Sequence, residues 1–354
     1  MPADSPNFDR VLAALLCQQP DRVPPAEIWV DQEVRDAFMG YPVRSLQDEV
    51  AFWLNAGFDF VALDNDLWAT PQIQGSLTRP ISDTAHLYAE GRSERGWVAE
   101  QAAILVSWDD VERFPWPRAA DLDYSNLEQI GAFLPPGMKV IATFGHIFTA
   151  AWQLMGFENF CLALHDDYPL VKEIIRRIGV ECLQQAERLL SIPTIGALCF
   201  QDDIAYTSGP IISRQMLGEL FFPWLAELAA LCHARSRPLI YHSDGNLTSL
   251  LPDIVACGVD CFQAIEPKCM DIVAVKREYG GRLALMGNLD LGYTLTRGSP
   301  QEVAEAVKFL LRHVAPGGGL LIGSSNSITN YVPLENFKAM MQTVIEFGRY
   351  PISI

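Results

Sequence analysis

Eight short segments with apolar centres, most of them ending in hydrophilic residues and followed by a helical pattern, constrain this chain more than any other feature. They are Glu27–Asp31, Asp59–Asp66, Lys139–His146, Gly196–Phe200, Leu239–Tyr241, Val259–Pro267, Arg282–Met286 and Gly319–Gly323. Short apolar runs set between helices read as parallel strands buried on both faces. Eight of them in alternation predict an α/β fold, a (β/α)8 TIM-type barrel with an N-terminal helical extension and an inserted hairpin. Residues 1–354 are expected to form one domain. An open doubly wound sheet is the alternative, although the Gly-rich dinucleotide fingerprint is missing. Gly317-Gly318-Gly319 precedes a strand instead of following one, so it reads as a tight turn.

The helices carry their own punctuation. Apolar residues at helical spacing mark Asn7–Gln18, and Ser45 and Gly57 bracket Leu46–Ala56 as cap and stop. Asp167–Leu190 and Ser213–Arg235 read as helices, the second despite Pro223, with Phe221, Phe222 and Trp224 as core. A helix-like segment covers Leu247–Ala256. Ser299-Pro300-Gln301-Glu302 is a capping box opening a helix to His313, and Pro333 starts the last helix. Between Ser76 and Trp108, alternation with turn residues at Glu90-Gly91 and Glu94-Arg95-Gly96 predicts the inserted hairpin, with Trp97 and Trp108 on one side.

Composition excludes several classes. The net charge of −17 argues against nucleic acid or anionic membrane as the main partner and, unless a local basic pocket exists, against a substrate with many carboxylates. The eight cysteines lie mostly in apolar runs without a Cys-x-x-Cys pair, as expected of reduced thiols in a cytoplasmic protein. No signal peptide or spanning segment is apparent.

The densest polar exit is His242-Ser243-Asp244-Gly245. Reactive groups at the carboxyl end of a barrel strand are where such folds keep their chemistry, but His242 and Asp244 can equally cap the following helix. Glu266 ends the neighbouring strand, and its position favours function over capping. Asp202-Asp203 offers a carboxylate ligand or base, or two solvated acids. His146 ends the third strand as a substrate-binding or structural histidine. Cys261 and Cys269 read as core or incidental thiols.

The ordered set His242-Ser-Asp244-Gly, Gly258-Val259-Asp260 to Glu266, Lys276 to Tyr279-Gly280, Met286-Gly287-Asn288-Leu289-Asp290, Gly317-Gly318-Gly319 to Gly323-Ser324 and Pro333-Leu-Glu-Asn336 resembles the uroporphyrinogen decarboxylase superfamily. The resemblance covers nearly the whole chain and implies two chemistries: decarboxylation of a tetrapyrrole, or zinc-dependent methyl transfer involving a corrinoid protein. In the decarboxylase branch an Arg-Gln-Ala-Gly-Arg run holds substrate carboxylates. Here the matching region is Trp29-Val30-Asp31-Gln32-Glu33-Val34-Arg35-Asp36, which is net acidic. Asp66 keeps the catalytic spacing to Pro71-Gln72, Trp152 stands for the branch's tyrosine, and Ser324, Ser325 and Asn326 occupy the place of its late histidine. In the methyltransferase branch, His-x-Cys and a later Cys hold the metal. His242 matches, Asp244 stands at the first cysteine and Asn326 near the second.

Taken with the oxygen ligands that stand in for the cysteines, which suit an ether oxygen better than a thiol, the resemblance leads to the expectation of an enzyme moving a methyl group from a small O-methyl donor to a corrinoid on a separate protein. Its expected metal ligands for zinc or another divalent ion are His242, Asp244 and, from its place at the neighbouring strand exit, Glu266; a metal-free site in which His242 hydrogen-bonds the substrate is the alternative. Asp203, Glu266 and Asp66 are the expected catalytic groups, and His146, Trp152, Asn288 and Asn326 the substrate contacts. A homodimer is left open. A decarboxylase and a non-catalytic small-molecule-binding barrel are the alternatives.

Overall fold

A computed structural model describes residues 5–69, 78–80, 96–98 and 103–354. At its centre lie seven strands: β1 (Phe60–Asp64), β2 (Lys139–Gly145), β3 (Ile195–Gln201), β4 (Leu239–Ser243), β5 (Cys261–Ala264), β6 (Ala284–Met286) and β7 (Leu320–Leu321). They sit side by side in chain order, and every neighbouring pair is parallel. A doubly wound sheet would reverse its order at a switch point. This one does not, and the fold is the expected (β/α)8 barrel.

The first expected strand departs from the prediction. Glu27–Asp31 forms no ladder; its neighbourhood meets the segment that follows the last strand through isolated parallel bridges, Pro25 to Ile322 and Val30 to Ile328. Pro24 and Pro25 lack the N–H groups that a regular ladder needs. Gly323 makes the approach possible, because a Cβ there would stand 1.8 Å from the carbonyl oxygen of Ala26.

Strand periodicity separates two layers. Phe144, Phe200, Tyr241 and Phe262 are in register across β2 to β5, with ring centroids 5.6, 6.1 and 6.1 Å apart. Phe221, between two helices, stacks on Phe200 and lies tilted against Tyr241, so this row faces the helical layer. The next residues, Gln201, His242 and Gln263, are also in register and point the other way, toward the barrel axis. One step along the strand thus changes aromatic core into polar mouth.

Most helix signals hold. Leu46–Ala56 has its reciprocal Ser45–Asp48 capping box and a left-handed Gly57, and Pro300–His313 has the Ser299–Glu302 box. Asn7 caps Phe8–Leu15, Asp167 caps Tyr168–Leu190, and Pro333 precedes Leu334–Phe347. The expected Ser213–Arg235 helix is two helices, Arg214–Leu220 and Phe222–Ala234, because Pro223 cannot donate into a continuous helix and instead sits in the first turn of the second. Leu247–Ala256 is helical only from Leu251, where Pro252 occupies the first turn. In the hairpin, Thr78–Pro80 and Gly96–Val98 pair antiparallel. Its turn residues Glu90-Gly91 and Glu94-Arg95, Ser76 and Pro71-Gln72 lie outside the described residues. Trp108 opens a helix, Trp108–Arg113, instead of extending the hairpin.

At the amino-terminal face of the barrel, Asp59 is fully buried and accepts from Arg10 Nη1 at 2.5 Å, with Arg22 Nη2 3.7 Å away. Arg10 also grips Asp21 through Nε and Nη2 at 2.6 and 2.8 Å. This network ties the first helix to the entrance of β1. Among the described residues no helix is long and apolar enough to cross a membrane.

Candidate metal centre at the barrel mouth

His242 is 8% exposed at the end of β4, and its neighbours leave it one usable nitrogen. The register sets it opposite Gln263 of β5. Gln263 Nε2 donates to the backbone oxygen of Asn326 at 3.1 Å, which turns its Oε1 toward His242 Nδ1, and the two are hydrogen-bonded. An acceptor at Nδ1 fixes the proton there. In the neutral ring the Nε2 lone pair then faces the mouth, 3.9 Å from Asp244 Oδ1.

Asp244 follows β4 and is held on two sides. Its backbone N–H donates to Asp203 Oδ1 at 2.8 Å, and its Oδ2 accepts from Asn326 Nδ2 at 2.7 Å. Its Oδ1 is buried with no hydrogen-bond partner among the described residues. Burial pushes the Asp244 carboxyl up to about 6, with His242 opposing and the charges of Asp203 and Glu266 reinforcing the rise. Asp244 caps no helix: the next one starts at Leu251 with no side-chain cap. Ligand atoms of Asp203, His242 and Asp244 all lie within 4.8 Å of one another.

The paired acids after β3 divide their work. Asp202 is buried and accepts from the backbone N–H groups of Ile147, Phe148 and Thr149 at 2.8, 2.6 and 2.8 Å. It therefore anchors the start of helix Phe148–Met155. Asp203 turns into the mouth, and its N–H donates to Thr149 Oγ1 at 3.2 Å.

Glu266 stands outside this group. Its Oε2 accepts from Gly245 N–H at 3.0 Å and from Cys269 Sγ at 3.5 Å, and its Oε1 pairs with Lys268 at 2.9 Å. Asp203 thus stands where the sequence reading put Glu266, which instead braces the Asp244–Gly245 turn. Cys269, read as incidental, helps hold Glu266, and Cys261 is core.

The remaining expected residues ring the mouth. His146 Nδ1 meets Asp66 Oδ2 at 2.9 Å, and nearby Asp64 accepts from Thr143 Oγ1 at 2.8 Å, its carboxyl pushed up to about 6 by burial and the Asp66 charge. Trp152 lies edge-on to Phe157 at 5.7 Å, and Phe157 to Tyr206 at 6.1 Å, forming an aromatic wall beside the Asp203 turn. Asn288 donates to the backbone oxygen of Ile265 at 2.9 Å, so its amide supports the β5 exit. A cavity of about 350 Å³, lined in part by Glu266, Lys268, Asp290, Asn326, Thr329 and Tyr331, opens next to the centre. Gln263 and Thr149 were missed in sequence. Gln263 was legible as a lone polar residue inside Cys261-Phe262-Gln263-Ala264, at the level of His242.

A barrel whose mouth combines imidazole and carboxylates is an enzyme scaffold, with its chemistry at the carboxyl face. The chain belongs to the uroporphyrinogen decarboxylase (URO-D) family, whose model matches residues 100–347. It is 27% identical to a methylated-thiol–coenzyme M methyltransferase of Methanosarcina mazei, over 95% of this chain and 88% of that one. It is 24% identical to the methylcobamide:CoM methyltransferase MtaA of Methanosarcina barkeri, over 46% of this chain; the match spans about half of that relative, 49%. A uroporphyrinogen decarboxylase of Anaeromyxobacter dehalogenans is 27% identical over 68% of each chain. Among solved structures, a methyltransferase from Methanosarcina mazei superposes with a TM-score of 0.71 at 19% identity, covering 96% of this chain and 98% of that one. At that identity the superposition speaks for the fold.

Proposed function

We propose that this chain is a cytoplasmic methyltransferase that takes a methyl group from a small O-methyl donor and passes it to a corrinoid carried by a separate protein. The observation that carries the reading is the convergence of Asp203, His242 and Asp244, with the Asp244 Oδ1 atom buried and unpartnered. A buried carboxylate oxygen without a donor is costly unless a cation or ligand meets it. The donor set fits a divalent metal: one imidazole nitrogen with its tautomer fixed, and two carboxylates. Bound there, zinc or a harder divalent ion would supply Lewis-acid polarisation of the donor oxygen.

The protein's own groups do the rest. Gln263 keeps the His242 proton on Nδ1, and Asn326 donates to one oxygen of Asp244 without competing for the other. Oxygen ligands suit an ether or alkoxide oxygen better than a thiol. The relatives named as methyltransferases support the transfer class, and their names place a cobamide or coenzyme M in their reactions. Elemental analysis of protein purified without chelator tests the reading and should give about one equivalent of metal. His242→Ala should stay folded and lose both metal and methyl transfer. Metal-free wild-type protein, indifferent to added zinc and manganese, would remove the metal-dependent reading.

A further inference from the structure

His146 occupies a strained position that packing alone does not explain. Its φ is +69°, a left-handed conformation that non-glycine residues adopt rarely and at a cost. The strain is built in from both sides. Gly145 lets β2 approach β3 so closely that a Cβ there would stand 2.1 Å from the Gln201 carbonyl oxygen. That carbonyl then accepts from His146 N–H at 2.8 Å and fixes the turn. The result throws the imidazole off the end of β2 and into the mouth.

Once there, the ring is gripped at one end only among the described residues. Nδ1 is engaged with Asp66 Oδ2 at 2.9 Å, while the side chain keeps 29% of its surface exposed, so Nε2 is the nitrogen available to a ligand. Among the described residues, the charged groups that act on it are acids: Asp66 in contact, with Asp202 and Asp203 after β3 and Asp64 at the end of β1. Burial alone would lower the imidazole pKa, but Asp66, then Asp202 and Asp203, outweigh it and raise the value to about 9. Asp203 joins this face to the candidate metal centre, through its N–H on Thr149 of the helix that follows His146.

We propose that His146, oriented by Asp66, donates from Nε2 the proton taken up by the departing oxygen during methyl transfer. The inference rests on the methyl-transfer reading. The methyl carbon gains its new bond from the electron pair of the incoming cobalt(I) corrinoid. The C–O bond breaks with its pair moving to oxygen, and that oxygen takes the Nε2 proton, leaving as a neutral alcohol or phenol. The other proton stays on Nδ1, donated to Asp66 throughout, and water returns a proton to Nε2. An acidic mouth would otherwise hold a newly formed oxyanion against repulsion, so a proton at this point serves both bond cleavage and product release.

The test uses metal-loaded protein, cob(I)alamin as acceptor under anaerobic conditions, and three donors of increasing leaving-group basicity: 4-nitroanisole, anisole and 2-methoxyethanol. His146→Asn suits the purpose, since asparagine tolerates the left-handed conformation yet is no acid. It should cost about a hundredfold or more with anisole and 2-methoxyethanol and only about threefold with 4-nitroanisole, whose phenolate needs no proton. Unchanged metal content and melting temperature show that the variant is folded. Asp66→Asn provides a second reading: the wild-type rate with anisole should fall as pH rises through about 9, and the variant's should fall at lower pH. An equal loss with all three donors, or no loss, overturns the acid role while leaving methyl transfer standing. Wild-type protein that methylates cob(I)alamin from none of the donors removes the transfer reading, and this inference with it.

Discussion

The side-chain amide of Asn326 donates to Asp244 Oδ2 at 2.7 Å, joining the exit of the last strand to that of β4 across the barrel mouth. The same residue's backbone oxygen holds Gln263, which holds His242. One residue therefore orients two of the three candidate ligands. Neither support belongs to the ligand group itself, and that gives the first expectation.

Gln263→Leu removes the acceptor that fixes the His242 tautomer but leaves all three candidate ligands in place. Metal affinity, measured by competition with a chelator, should drop about 10- to 100-fold, as for other supporting partners of metal-bound histidines. Asn326→Ala should act in the same direction through Asp244. Affinities within twofold of wild type in both variants would mean that the centre is elsewhere.

Incubated anaerobically with uroporphyrinogen, the protein should release no coproporphyrinogen. The segment matching the arginine-rich run is acidic, and its one arginine, Arg35, is paired with Glu49 and Gln32. A mouth ringed by Asp64, Asp66, Asp203 and Asp244 repels a substrate with many carboxylates. Product formation at an enzymatic rate, read by chromatography after oxidation, would restore the decarboxylase alternative.

Asp59→Ala should destabilise the fold by about 3–5 kcal/mol, because it leaves the buried Arg10 guanidinium short of its partner. Denaturant midpoints at neutral pH measure this. Site properties, including metal content at low temperature, should be retained, since Asp59 lies at the opposite face from the mouth.

Glu27 gives a pH signature. It is buried, with its two oxygens on the N–H and hydroxyl of Ser324 at 2.6 and 2.8 Å, and burial raises its carboxyl from 4.5 to about 8. The folded state holds a proton that the unfolded chain releases near 4.5, so stability attributable to Glu27 falls as pH rises from about 4.5 to 8. Glu27→Gln keeps the shape without the titration. Its stability should vary less with pH than the wild type's across that window, as followed by melting temperature.

The parts of this molecule that sequence disclosed are those written in local rules. The capping boxes at Ser45 and Ser299 and the barrel strands themselves need only neighbours in the chain. What sequence did not disclose depends on register and depth. Asp202 and Asp203 are chemically identical in a sequence, and only the turn after β3 makes one an anchor and the other a mouth residue. Glu266 had the right position, yet Gly245 and Lys268 occupy it. Gln263 looked like one residue of a buried strand, because its meaning comes from the in-register partner on β4. The Glu27–Asp31 segment kept the composition of a strand while Pro24 and Pro25 denied it a ladder.

That segment also governs when the molecule can be completed. Glu27 and Ser324 stand 297 positions apart, and the two bridges to Ile322 and Ile328 are of similar span. Contacts of such separation are reached late, since the intervening chain must first be ordered around them. A ribosome emitting this chain releases the amino-terminal half of the seam long before its carboxyl-terminal half exists. Until then the backbone near Ala26 and the edge of β7 lack each other's hydrogen bonds, exposing strand edge to any neighbouring chain. The last thirty or so residues therefore act as the clasp of the barrel, and a chain cut short before Gly323 would be an aggregation hazard even though every candidate ligand had already been made.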